Sequence, residues 1–429
     1  MSSREWKPLL SGDLAESAWM AVEEIATDLE ALAIGVGPSG GSAWREAPTL
    51  ADGPAGPALF FSYLDRVVPD RGYGEPGLEL LEQAVEGASG GTLPPGLLDG
   101  VAGVAWTIEH LRDLLFEEEL EEDSGAVLAE ALAGVAGQTP WRGPIDLASG
   151  LAGLGVYALE RLPRPGGRET LRCTVARLTE SALALPGGLA WHHVESDPAQ
   201  DGGGSEGGSF NLGLAHGVPG VIGFLSGALR AGFEAEARPL LEGAVGWLLG
   251  RKLPPGCVSI FPYSAGPGIE PVESRLGWCY GDAGIATVLL GAARAAGRPD
   301  WEKEAVELAS HAAERSYDSS EVVDAGLCHG AAGLGHLFNR LFQSTGEGLF
   351  AAAARDWFAR ALEMRSAEAG AEGIGGFRAL VPDEQMDLYW VDDPGFLTGA
   401  AGIGLALVAA LSPLEPAWDR LLLTAGFQR

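Results

Sequence analysis

Seven times along the chain a Gly-x-(Ala/Pro)-Gly tetrad opens into an apolar run. The copies begin at Gly53, Gly100, Gly150, Gly217, Gly281, Gly330 and Gly399, at intervals of 47 to 69 residues. Two further matches are set aside: the one at Gly74 leads into amphipathic Leu78–Glu86, and the one at Gly134 into Gln138-Thr139-Pro140. The first accepted copy is the loosest, since Pro57 and Ala58 follow it. A unit repeated at such a period cannot bury its apolar face alone and must stack on its neighbours. That rules out most other architectures before composition is considered.

The segments after the tetrads, Val104–Ile108, Leu154–Leu159, Val221–Leu225, Ile285–Leu290, Leu334–Phe338 and Ile403–Leu411, are apolar on most faces and predict buried helices. Leu14–Leu32, Phe233–Leu249, Trp301–Arg315 and Leu349–Met364 carry charges with apolar residues at helical spacing, and predict outer helices. No segment shows sustained strand alternation. Each repeat therefore reads as an outer helix, a loop, a glycine turn and an inner helix, and seven hairpins give fourteen helices. The terminal repeats resemble the middle ones and no capping unit is evident, so a closed ring is expected, in one domain spanning 1–429. Glycine at each inner-helix start permits close backbone approach. It is also expected to leave helix N-terminal amides free for a ligand.

Composition narrows the function. The formal net charge is −31, which argues against a nucleic-acid partner, because phosphate binding needs a basic surface. The longest apolar runs are too short to span a bilayer. Met1–Glu30 lacks the basic-then-apolar order of a signal peptide, so a cytoplasmic location is expected. Four cysteines in so long a chain are not a disulfide scaffold. Two linkers stand out: Ser196–Ser209, a glycine-rich loop readable as a lid or as an insertion, and Leu253–Val272, rich in Pro and Gly, with Phe261 and Tyr263.

Aligned on the first glycine, the tetrads place chemistry in register. Two positions upstream stand Ala51, Leu98, Ala148, Ala215, Cys279, Cys328 and Leu397; one position upstream stand Asp52, Asp99, Ser149, His216, Tyr280, His329 and Thr398. Equivalent positions of adjacent hairpins lie side by side in a ring, so Cys279, Cys328, His329 and His216 should converge. Two thiolates and an imidazole suit zinc, and three protein ligands leave a position open, as catalytic sites do. A pair of buried cysteines beside a core histidine is the competing reading. Cys173 and Cys257 have no such company and read as inert. His110, His192, His193, His311 and His336 read as structural or exposed.

The segments LAHGVPG around His216, GWCYGDAG around Cys279 and LCHGAAG around Cys328 resemble the lanthionine synthetase C-like family, and the seven tetrads extend the resemblance over nearly the whole chain. The resemblance implies an all-α fold, an α/α toroid of seven helical hairpins in inner and outer rings, holding one zinc ion. It implies Cys279, Cys328 and His329 as metal ligands and His216 as acid–base histidine. Asp146 would be that histidine's partner, Arg275 an active-site arginine, and Tyr280 a further site residue. The chain lacks the kinase-like or dehydratase regions of fused members, so it resembles the stand-alone type. The implied activity is that of a lyase-class lanthionine synthetase. It would add cysteine thiolates of a dehydrated precursor peptide to dehydroalanine or dehydrobutyrine, with a separate dehydratase as partner. Two alternatives stay open: addition of glutathione to dehydroamino acids, and a zinc- or thiol-binding scaffold without turnover. A prenyltransferase-like toroid is disfavoured, since it would usually need an Asp-Cys-His ligand set and a second subunit.

Overall fold

A computed structural model describes residues 5–33, 48–90, 93–115, 123, 125–193, 208–366, 372–383 and 385–424. Most of the glycine-rich Ser196–Ser209 segment lies outside the described residues. The chain divides into two compact units, one of residues 1–93, 110–121 and 322–418, the other of 94–109, 122–321 and 419–429.

The first unit holds α1 (Asp13–Ala33), α2 (Ala55–Val67) and α3 (Gly74–Gly90), then, after α4–α12 given below, α13 (Ala331–Thr345), α14 (Gly348–Glu363) and α15 (Ala400–Leu411). Helix α4 (Val101–Leu115) follows the second tetrad. The second unit holds α5 (Ala126–Ala136), α6 (Leu151–Arg161), α7 (Gly167–Ser181), α8 (Val218–Arg230), α9 (Glu234–Leu249), α10 (Asp282–Ala296), α11 (Pro299–Glu314) and the short α12 (Tyr317–Ser320). Every inner segment expected from the sequence falls inside α4, α6, α8, α10, α13 or α15, and the outer ones coincide with α1, α9, α11 and α14. All twelve residues of α15 are buried, whereas α11 buries five of sixteen. An all-round apolar helix can only sit inside, and a one-sided helix covers it.

Hairpins run inner helix first: α2 packs on α3, α6 on α7, α8 on α9, α10 on α11 and α13 on α14. This reverses the order expected from the sequence. Helix α1 packs on α15, the last inner helix, and not on α2, which follows it in the chain. Inner helices lie in sequence, α6–α8–α10 in the second unit and α13–α15–α2 in the first. Among the described residues, three two-stranded antiparallel pairs occur where no alternation was evident: β1 (Leu183–Leu185) with β2 (Gly188–Ala190), β3 (Phe210–Asn211) with β4 (Ser264–Ala265), and β5 (Ala379–Pro382) with β6 (Leu388–Val391). Two to four residues are too few to print a period of two.

At the tetrads beginning at Gly100, Gly150, Gly217, Gly281 and Gly399, a loop folds back over the inner-helix start. A Cβ on the first glycine would meet the carbonyl six residues upstream: Pro144 O at 2.4 Å for Gly150, Arg275 O at 2.1 Å for Gly281. The fourth residue repeats the geometry, as Gly284 does against Trp278 O at 2.3 Å. The same loops satisfy helix N-terminal N–H groups. Leu151, Ala152 and Gly153 donate to Pro144, Ile145 and Asp146; Ala331, Ala332 and Gly333 donate to Asp324, Ala325 and Gly326. The amides expected to be free for a ligand are thus occupied by the protein's own carbonyls at these helices.

Adjacent loops are also bonded to one another, in each case onto the carbonyl of the residue two positions before the neighbouring tetrad. In the second unit Leu98 N donates to Ala148 O, Ala148 N to Ala215 O, and Leu214 N to Cys279 O at 2.7 Å. In the first unit Cys328 N donates to Leu397 O and Phe396 N to Ala51 O, both at 2.8 Å. Equivalent positions stand side by side within each unit, and the seventh repeat adjoins the first.

Candidate metal centre and proton-transfer groups

Cys279 is buried on a turn that two neighbours hold. Its carbonyl accepts from Leu214 N, and the indole of Trp278 donates to Leu422 O at 2.9 Å. Gly281, with φ 106°, turns the chain from Cys279-Tyr280 into α10. Cys328 and His329, both half-buried, precede Gly330 at the start of α13. Their turn is closed by Asp324, whose Oδ1 accepts from Gly326 N at 3.1 Å, while Oδ2 accepts from Leu380 N of β5. The ligand atoms of Cys279, Cys328 and His329 lie within 4.8 Å of one another. Two sulfurs and one imidazole nitrogen that close form a donor set that fits a tetrahedral zinc ion with one position left over.

His216, one position before the fourth tetrad, is bonded through Nδ1 to Asp146 Oδ2 at 2.9 Å. Asp146 is nearly inaccessible, and its Oδ1 accepts from Ser149 N at 2.9 Å. Ser149 in turn donates its hydroxyl to Asp99 Oδ2 at 2.6 Å. Burial alone would push the His216 imidazolium to a lower pKa. The bond to Asp146, with the negative charge of Asp146, Cys279 and Asp99, outweighs it and raises the pKa above the ordinary histidine value. Asp99 is raised as well, first by burial, against the lowering bond from Ser149.

Tyr280 is half-buried, and its hydroxyl oxygen accepts from Asn211 Nδ2 at 2.7 Å. Burial raises its pKa, opposed by the Asn211 bond and by Arg275. Its ring meets Tyr263 edge-on at 5.2 Å. Tyr263 belongs to the Pro/Gly-rich linker, and its hydroxyl accepts from Arg275 N at 3.0 Å. The linker is anchored by the fully buried Asp282, which accepts from Ile260 N and Phe261 N.

Sequence reasoning missed Asp99, Asn211 and Tyr263 as neighbours of the site. Asp99 stood in the alignment at the position of His216 and His329. Asn211 had no local signal, because its partner lies 69 residues away. His193, read as structural or exposed, faces His216 with ring centroids 6.3 Å apart.

Among known proteins of solved structure, nisin cyclase is similar over 94% of this chain and 97% of its own, with a TM-score of 0.66 and 19% identity. A sugar epimerase from a ruminal bacterium, at 11% identity, covers 84% of this chain and 88% of its own with a TM-score of 0.46. An α-1,6-mannanase variant of a Salegentibacter species, at 12% identity, covers 93% and 99% with a TM-score of 0.42. The likeness to nisin cyclase establishes the fold class: all-α, an α/α toroid. Residues 46–423 match the lanthionine synthetase C-like protein family. The chain belongs to that family.

Proposed function

We propose that this chain is a zinc-dependent cyclase that closes thioether rings in a dehydrated peptide, with Cys279, Cys328 and His329 as the metal ligands. The observation that carries the reading is the meeting of those three ligand atoms within 4.8 Å in a member of this family. Zinc held there would supply a Lewis acid that favours the thiolate form of an incoming cysteine, whose free pKa is about 8.5.

The remaining steps use the chain's own side chains. The substrate thiol loses its proton to solvent. Its sulfur bonds to the β-carbon of a dehydroalanine or dehydrobutyrine, the carbon–carbon π bond breaks, and the electron pair moves to the carbonyl oxygen as an enolate. A proton must then reach the α-carbon. Asp146 engages His216 Nδ1, so Nε2 is the nitrogen that passes the proton, and the raised pKa keeps more of the imidazolium available near neutrality. Arg275 and the Tyr280 hydroxyl are the cationic and neutral donors assigned to the enolate oxygen. The cyclase works with a separate dehydratase, in the cytoplasm. Among the described residues no helix is long and apolar enough to cross a membrane.

Elemental analysis of wild type and Cys328→Ala, paired with thiol labelling and mass spectrometry of a dehydrated peptide, tests the reading. Wild type should hold about one zinc per chain, as a three-ligand site implies, and protect the peptide's thiols by ring closure; Cys328→Ala should lose both. Equal zinc in the two proteins would sink the ligand set. Transfer of added glutathione in place of ring closure would reassign the substrate.

A further inference from the structure

The amide of Asn211 works at both ends. Its Oδ1 accepts from Gly213 N at 2.7 Å, and its Nδ2 donates to the Tyr280 hydroxyl oxygen at 2.7 Å. A backbone N–H can only donate, so the end facing Gly213 must be the oxygen, and the orientation of the amide is fixed. Tyr280 therefore accepts from Asn211, and its own hydroxyl hydrogen is left for another acceptor.

Asn211 stands six residues before the fourth tetrad. The same position holds Asp324 in the sixth repeat and Asp393 in the seventh. Each closes the same turn, through Oδ1, onto the glycine two residues on: Gly326 at 3.1 Å and Gly395 at 2.7 Å. The turn needs an acceptor, and aspartate supplies it equally well. Only the donor end separates asparagine from aspartate here, and that end faces Tyr280.

We infer that Asn211 is a positioning residue that commits the Tyr280 hydroxyl to donate its hydrogen toward the reacting peptide, an inference that rests on the cyclase reading for the identity of that peptide. The surroundings hold the pair in place. The backbone of Asn211 is paired with Ser264 in the β3–β4 ladder. The Tyr280 ring is packed edge-on against Tyr263. Tyr280 adjoins Cys279 in the chain, on the turn that carries Cys279 into the cluster with Cys328 and His329, so its hydroxyl is borne by the same turn as a proposed metal ligand. A neutral donor there, already satisfied as an acceptor, cannot turn its hydrogen elsewhere without losing the Asn211 bond.

Asn211→Asp isolates this role, since the carboxylate keeps the turn but would take the Tyr280 hydrogen for itself. Loss of one aimed donor to a developing oxyanion costs about 100- to 1000-fold in kcat in stringent cases. Here, with Arg275 beside it, a fall of about 10- to 100-fold is expected, with KM and melting temperature near wild type. Tyr280→Phe should fall equally, and the double variant no further. In protein labelled with 3-fluorotyrosine, the Tyr280 fluorine resonance, assigned by its loss in Tyr280→Phe, should move in Asn211→Asp at fixed neutral pH. An unmoved resonance overturns the inference whether or not the protein turns over. Wild-type kcat in Asn211→Asp, or losses that multiply in the double variant, overturns it as well. A resonance that moves in Asn211→Asp, together with a wild type that binds zinc but closes no ring, leaves Asn211 in place and removes the cyclase reading instead.

Discussion

Gly281→Ala should be among the most damaging single methyl additions in this chain, and its cost can be separated into two parts. Gly281 has φ 106° and ψ 173°, a region essentially closed to residues with a side chain, which costs about 1–3 kcal/mol. The added Cβ would also lie 2.1 Å from Arg275 O. That contact is with backbone, so the turn itself must shift, and overpacking of this kind costs about 1–3 kcal/mol more. The expected sum is about 2–6 kcal/mol. Gly297 supplies the control at the other end of α10: its φ is 68°, and a Cβ there would meet nothing within 4 Å. Gly297→Ala should cost only about 1 kcal/mol, the left-handed penalty alone. Urea unfolding followed by circular dichroism measures both. Zinc content should fall in Gly281→Ala, because Cys279 rides on the displaced turn, and stay at the wild-type level in Gly297→Ala. Equal losses of stability in the two variants would refute the argument that the loop carbonyl, and not the backbone angle alone, demands glycine.

The pH–rate profile of cyclisation should fall on its alkaline side as His216 loses its proton. Asp146 raises that pKa, so Asp146→Asn should move the alkaline limb to lower pH with zinc content unchanged; a limb that stays put would dissolve the pairing. Arg161 is fully buried between Glu109, itself 1% exposed, and Asp123. Arg161→Met would leave the Glu109 carboxylate buried with its main partner gone, and should cost about 3–5 kcal/mol by urea unfolding. The exposed Arg172–Glu169 pair gives the contrast: Arg172→Met should leave the urea midpoint near wild type, and a loss as large as that of Arg161→Met would show that burial does not decide the matter.

The helices were legible because an all-apolar stretch such as Ile403–Leu411 has nowhere to go but inside. The cluster of two cysteines and a histidine was legible for a different reason. Cys279, Cys328 and His329 fall in register only when the tetrads are superposed, and bonds between adjacent loops, such as Leu214 N to Cys279 O, keep that register in space. What stayed hidden depends on rotamers and long-range contacts. No local pattern marks Asn211 as a partner of Tyr280, or Tyr263 as the ring that braces it. The helix-start amides were misread because glycine suggests open space, whereas here carbonyls seven residues upstream fill it. The order within a hairpin was misread because α1 precedes α2 in the chain, and nothing local shows that its partner is α15.

That last pairing bears on how the chain is made. Trp6 donates its indole N–H to Ala409 O, Leu9 N reaches Ala410 O, and Arg355 reaches Leu9 O. Partners 403 residues apart in the chain thus close on one another. At roughly 5–20 residues per second, about 20–80 s of synthesis separates the two. Throughout that interval the apolar face of α1, with Val22, Ile25 and Leu29, lacks α15, the helix it packs on most extensively. Contacts so distant in sequence close slowly even once both ends exist. The nascent α1 is therefore a segment in need of a chaperone's cover, and overproduction faster than that cover can be supplied should yield aggregates before it yields inactive monomer.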